Sequence, residues 1–363
     1  MRRWLLRHWL FSVFGAVTLM ALAIALQLPT SRDVVLGIIT NESFYRGRPT
    51  HYWVAALDRY GPGREQAITT LVEGGPQAVP VLLEIQEEKR APYDWFALDP
   101  PGIDRGGAPQ GSARALKAIG TEAVPALVNL LRSRRLEIRK RSVYALGALP
   151  RTPETIPALA RVLEHDSEIG SEAVKALANI VGPEDIALAP ALVSRLGSDS
   201  PYASSALGHI GANAVPQLIE ALADKNPRTR GHAALALAHM RPKAKEALPA
   251  LIRLLGQERA ATERAGDRRF ICKYVALAIG AIGPDARTAV PELISALDDE
   301  DGWVRRAAII ALQRIGPDAH DAVTALRKSL EDSFTDTSVI NSQLAAGALN
   351  KIDRAPSSKA NVP

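Results

Sequence analysis

The chain has 363 residues, 47% of them hydrophobic but only 5% aromatic, so a core has to be built from Ala, Leu, Val and Ile. Its formal charge of +5 is concentrated at the start: Arg2, Arg3 and Arg7 precede residue 31 with no acid beside them, and the remainder carries 41 basic against 39 acidic side chains, a net of +2. That balance argues against nucleic-acid binding, and the single Cys272 leaves no internal disulfide to form.

Residues 1–8 are followed by an uncharged run from Trp9 to Leu28. A helix over 9–28 would span about 30 Å, the thickness of a bilayer's hydrocarbon core. With Arg2, Arg3 and Arg7 before the run and only Arg32 soon after it, the charge bias predicts a cytoplasmic tail at 1–8 and a transmembrane anchor at 9–28. Everything beyond then lies on the periplasmic or extracytoplasmic side. Ala21-Leu22-Ala23 and Ala23-Ile24-Ala25 are small-residue cleavage sites, so a cleaved signal peptide and a secreted product form the competing reading. A usual signal core is shorter than this run, which favours the anchor.

Residues 29–50 hold Pro, Ser, Asn, Gly and several charges and read as a linker with little regular structure. Its end, Phe44 to Trp53, concentrates aromatics in a chain that has few. Trp53, Leu57 and Tyr60 share one helical face, as expected for an atypical first unit that caps a stack.

From residue 51 to 354 the chain repeats. Ile282-Gly283-Pro284-Asp285-Ala286 returns 33 residues later as Ile315-Gly316-Pro317-Asp318-Ala319. An apolar pair before proline recurs at Pro80, Pro125, Pro157, Pro190, Pro216, Pro249 and Pro291, in steps of 45, 32, 33, 26, 33 and 42. Proline is tolerated in a helix's first turn, where its missing N–H has no partner to lose. Each element therefore opens a helix, with Leu at helical spacing behind it, as in Pro249 to Leu255. Before each lies an Ala/Leu-rich helix, often ending in Gly, which can adopt the left-handed C-cap. The unit is helix, tight turn, proline-led helix, short loop. Stacked, such units give an all-α solenoid around one continuous core. The tail at 355–363 (Pro, Ser, Lys, Asn) reads as disordered.

The I-G-x-x-A-V-P-x-L pattern, with Asp224 and Arg230 six apart and Asp299 and Arg305 likewise, resembles bacterial HEAT repeats, in the broad group that includes the repeats of phycobilin lyases. The resemblance covers about residues 61 to 353. It implies a right-handed α-solenoid of about eight units, in which Asp and Arg form a ladder between neighbouring repeats. Here the ladder is incomplete: Ser133 and Arg139 keep half of it, Ser198 and Ser204 neither.

Two departures from the period stand out. From Pro80 to Ile119 there are 39 residues, against 24 from Pro216 to Met240, so about 15 are inserted. This 91–112 insert holds Tyr93, Asp94, Trp95, Phe96 and Asp99, aromatics among turn formers. Insertions in solenoids map to loops on one edge, frequently the binding edge, so these five are candidate protein-binding residues. The alternative is that Trp95 and Phe96 plug a gap in the stack. A second insertion, nine residues around Glu258 to Arg264, reads as a solvated charged loop.

Chemistry is sparse. His232 and His239 lie seven apart on one helix among Ala and Leu, without the further ligands a metal site needs. Cys272 sits on an apolar helix as a small core residue. The acidic run Asp298 to Asp301 lacks an EF-hand's alternation and reads as a helix cap. No phosphate-cradling Gly loop, nucleophile elbow or paired-Cys spacing occurs. The sequence therefore predicts a membrane-tethered scaffold for protein–protein interaction, with no enzymatic activity, no cofactor and no nucleic acid. An enzyme or chaperone-like protein of the bilin-lyase type, which the resemblance permits, is the alternative.

Overall fold

The computed structural model describes residues 29–58, 61–86, 108–198, 201–260, 265–331 and 336–353. Beyond a short N-terminal part, helices follow one another in pairs. They are α3 (Pro62–Glu73) with α4 (Val79–Ile85), α5 (Ala108–Ile119) with α6 (Val124–Leu130), α7 (Leu136–Ala148) with α8 (Thr155–His165), and α9 (Gly170–Ile180) with α10 (Ala189–Ser194). Then come α11 (Pro201–Ile210) with α12 (Val215–Ala221), α13 (Pro227–Met240) with α14 (Leu248–Ala260), α15 (Ala265–Ile282) with α16 (Val290–Leu297), and α17 (Gly302–Ile315) with α18 (Val323–Glu331). The helix α19 (Asp336–Asp353) ends the described array. These are the helical hairpins that the repeat predicts. The chain divides into two compact units, Met1–Val162 and Leu163–Pro363.

The recurring grammar has a backbone cause. Gly75, Gly120, Gly211, Gly283 and Gly316 each follow a first helix at positive φ, between 51° and 82°. Only glycine enters this region without steric cost. A short 3-10 turn then leads into the second helix, whose proline sits in the first turn in α4, α6, α10, α12 and α16. Two residues beyond that proline, Leu82, Leu127, Leu192, Leu218 and Leu293 are fully buried, as is Leu251 two residues beyond Pro249 of α14. Arg241 departs from the pattern. It occupies the glycine position between α13 and its turn at φ 54° and ψ −134°, a conformation that the Cβ of arginine disfavours.

Small residues set how closely the first helices approach. A Cβ built on Gly280 of α15 would lie 2.6 Å from the Cα of Ala311 on α17, so these two backbones cross with no room for a side chain. The Ala content of the sequence suits such close packing: Ala276 and Ala278 of α15 and Ala307, Ala308 and Ala311 of α17 are all buried.

In the first unit, the stretch 29–50 differs from its reading as a linker. It forms α1 (Pro29–Ile39) and a hairpin of β1 (Phe44–Tyr45) and β2 (Arg48–Pro49), paired Phe44 to Pro49 and Tyr45 to Arg48. Arg46 and Gly47 both take positive φ, as a tight two-residue hairpin turn requires. The hairpin leads into α2 (Thr50–Leu57). Tyr45 is buried against Trp53, ring centroids 5.6 Å apart, and its hydroxyl donates to Thr70 O at 3.2 Å. The carboxylate of Glu84 on α4 accepts from Ser43 N (2.7 Å), from Thr50 Oγ1 (2.6 Å) and from Arg135. One buried acid thus ties the hairpin, α2 and the loop before α7 together, and the segment becomes part of the fold. Trp53 and Leu57 are buried, as the capping role requires, while Tyr60 lies outside the described residues. Among the described residues no helix is long and apolar enough to cross a membrane; the run 9–28 lies outside them.

Candidate functional site

The insert residues Tyr93, Asp94, Trp95, Phe96 and Asp99 lie outside the described residues. The other charged candidates are well placed. Arg230 donates to the backbone carbonyls of Asp224 (2.9 Å) and Lys225 (3.2 Å), and Arg305 to those of Asp299 (2.7 Å) and Glu300 (3.0 Å). Arg139 does the same to Ser133 O at 3.1 Å. At this position the arginine grips the backbone of its own loop, a bond that forms whether the residue six earlier is Asp or Ser. The side chain of that earlier residue caps the turn locally: Asp224 Oδ1 accepts from Asn226 N (2.7 Å), Ser133 Oγ from Arg135 N (3.2 Å) and Asp299 Oδ1 from Asp301 N (3.0 Å).

The ladder between side chains follows other pairings. Arg230 meets Glu258 at 2.6 Å, and Arg268 donates to both oxygens of Asp299 at 2.8 and 3.1 Å. Arg259, at the end of α14, reaches Glu292 (3.1 Å) and Asp299 (3.5 Å) of the next helix pair. Asp299 and Arg259 therefore join two pairs, whereas Asp224 and Arg305 act within one loop. Burial alone would raise the Asp299 carboxyl. The Arg268 hydrogen bonds, the Asp301 N–H and the charges of Arg268 and Arg259 outweigh it and hold the group below the usual carboxylate range. The hydrogen bonds to Asp299 in turn raise Arg268. Of the second insertion, Glu258 to Ala260 are helical and not the charged loop that composition suggests, while residues 261–264 lie outside the described residues. Glu258 and Arg259 extend α14 to Ala260, α15 starts at Ala265, and both charges are paired.

Cys272 and His232 are both buried. Burial pushes the Cys272 thiol up to about 12, far from a reactive thiolate at neutral pH. His232 Nδ1 lies 2.8 Å from Leu196 O, and burial lowers its pKa. His239 is exposed at the surface, and partial desolvation lowers its pKa, helped by the nearby charge of His209. Among the described residues no cluster of His, Cys, Asp and Glu could hold a metal. Asp301 Oδ1 caps α17 by accepting from Trp303 N at 2.8 Å, the role read from its position.

A second surface of the same helices carries aromatic residues and cations. On α13, α15 and α17 a continuous row runs His232, Phe270, Tyr274, Lys273, Trp303, Arg306. His232 meets Phe270 edge-on at 5.0 Å between centroids, and Phe270 meets Tyr274 edge-on at 4.8 Å. Lys273 Nζ lies 5.0 Å from the Tyr274 ring and 5.8 Å from the Trp303 ring, and Arg306 Cζ lies 4.4 Å over Trp303. Both cations are within the range of attraction by a ring face. The row has room because α13 carries Gly231, whose Cβ would fall 2.2 Å from Phe270. Trp303 is 45% exposed although it is the largest side chain type in the chain. The row went unread in the sequence, yet a signal existed: Phe270 and Trp303 are 33 residues apart, the same position of successive repeats.

Stacked helical hairpins with glycine-stopped first helices and proline-led second helices define the class of the protein, an α-solenoid. The family description "HEAT repeats" matches residues 108–178, 189–266 and 272–350, and the chain belongs to that family. No curated protein matches it. Among solved structures, Kap95 in its complex with Nup1 is similar over 84% of this chain and 47% of that one, at 12% identity and a TM-score of 0.53, a likeness of fold. An engineered protein is 22% identical over 93% of this chain and 99% of its own, with a TM-score of 0.42. The complex of CpcE and CpcF of phycocyanin lyase from Nostoc is 27% identical over 45% of this chain and 99% of that one, with a TM-score of 0.37.

Proposed function

We propose that the protein is a membrane-tethered HEAT-repeat scaffold that binds protein partners outside the cytoplasm and works by binding, without catalysis. The observation that carries the reading is the row from Phe270 to Arg306, which leaves Trp303 exposed and close to two cations at one position of successive repeats. Aromatic and arginine side chains supply most of the energy of protein interfaces. A stack of rigid helices presents them at little entropic cost. The tether rests on the sequence: an uncharged run at 9–28 preceded by Arg2, Arg3 and Arg7. The binding role is consistent with paired, structurally committed charges and a thiol pushed up to about 12.

The tether is tested by fractionation and protease protection. The full-length protein stays with membranes through high-salt and carbonate washes, and its C-terminus is cut by protease added on the non-cytoplasmic side. A mature N-terminus at or near Leu26 would replace the anchor by a cleaved signal, and a C-terminus cut only after cytoplasmic access would reverse the topology.

A further inference from the structure

We infer that the row across α13, α15 and α17 is a docking strip for an acidic, apolar-anchored peptide segment of a partner protein. The inference rests on the scaffold reading and names the chemistry of what the scaffold holds. Charge on these three helices is one-sided. Their sequences contain two, three and three Lys and Arg, eight in all, against one acid, Asp267. Arg230, Arg268 and Arg269 are answered by Glu258, Asp299 and Asp301. Lys273 and Arg306, both close to the Trp303 ring, have no carboxylate partner among the described residues.

Arg306 is set up for a carboxylate in particular. Its Nε donates to Asn341 Oδ1 at 3.0 Å, and Asn341 is itself buried and fixed by donating to Gly302 O at 3.0 Å. The guanidinium is thereby held with Cζ 4.4 Å from the centre of the Trp303 ring, while its two terminal nitrogens make no hydrogen bond among the described residues. Such a fork matches one carboxylate by two parallel hydrogen bonds. Lys273 offers a point charge between the Tyr274 and Trp303 rings. Beside these two cations, the exposed part of the Trp303 ring suits an apolar side chain of the same peptide. A polynucleotide fits less well. It would need a long track of free cations, whereas two lie close to the ring here and the chain beyond its first 30 residues is near neutral, with 41 basic against 39 acidic side chains.

The test uses the full-length chain and a short fluorescein-labelled Glu/Ser peptide with one central Leu, followed by anisotropy. The expected result is saturable binding that weakens with added salt. It should fall by about tenfold or more in Lys273→Glu with Arg306→Glu, and also in Trp303→Ala, with unchanged circular dichroism. The matched Lys/Ser peptide, a single-stranded oligonucleotide and vesicles of mixed zwitterionic and anionic lipid serve as rivals. Equal or tighter binding of any rival overturns the assignment, as does acidic-peptide binding that the variants leave intact or no acidic-peptide binding at all. In-host cross-linking of wild type and the double variant separates the two readings. Partners retained by both would overturn the strip alone, whereas no partner for the wild type would overturn the scaffold reading itself.

Discussion

Arg268 holds Asp299 by two hydrogen bonds, at 2.8 and 3.1 Å, one to each carboxylate oxygen, across 31 residues of chain. The Asp299 side chain is 3% exposed and also faces Arg259 from the preceding helix pair. One carboxylate therefore joins the start of α15, the loop before α17 and the end of α14. A buried acid with two cations is tolerated because each charge is answered; removing the acid leaves the cations without it.

Asp299→Ala is expected to destabilise the second unit by about 3 kcal/mol, the cost of breaking a buried pair from one side. Urea titration followed by circular dichroism measures it, and a loss under about 1 kcal/mol would rank the pair with exposed ion pairs.

The same carboxylate gives a pH dependence of definite sign. Its folded value is lowered, so its contribution is fully present above the unfolded carboxylate value of about 3.9 and is lost as pH falls through the lowered value. Melts taken between neutral and acid pH are expected to show a smaller acid loss for Asp299→Asn than for wild type. Parallel curves would remove Asp299 from the acid limb.

Arg241 holds a backbone conformation that five glycines hold at the equivalent turn. Arg241→Gly is expected to stabilise by about 1 kcal/mol, the relieved strain exceeding the added freedom of the unfolded chain. A lowered melting temperature would mean that the arginine side chain contributes more than its backbone costs.

Leu293 is fully buried in α16. Leu293→Ala is expected to cost about 2–5 kcal/mol. Because stacked repeats touch chiefly their neighbours, the loss should appear as one part of the array exchanging amide hydrogens before the rest. Uniform acceleration of exchange across the described helices would contradict a one-dimensional stack.

The repeat grammar was legible in the sequence because it is written in residues with one backbone meaning each. Gly283 and Gly316 stop helices at positive φ, and Pro249 and Pro291 open them. The hairpin at Phe44 to Pro49 was not legible: two-residue strands carry no periodicity, and what fixes them is Glu84, 40 residues ahead of Phe44. Arg139, Arg230 and Arg305 stand out by their spacing, but their carbonyl partners leave no mark in a sequence: Ser133 keeps the arginine's grip on the loop and lacks only a carboxylate such as Asp299 offers Arg268. Phe270, Tyr274 and Trp303 escaped notice because each repeat supplies only one or two of them. They become a row only when α15 and α17 lie side by side.

The central claim, a scaffold that holds protein partners outside the cytoplasm, is tested most directly by proximity labelling in the native host, with the labelling enzyme fused to the C-terminus. The account predicts a reproducible set of extracytoplasmic proteins that disappears when residues 9–28 are deleted and the chain stays inside the cell. Labelling confined to cytoplasmic proteins, unchanged by that deletion, would contradict it.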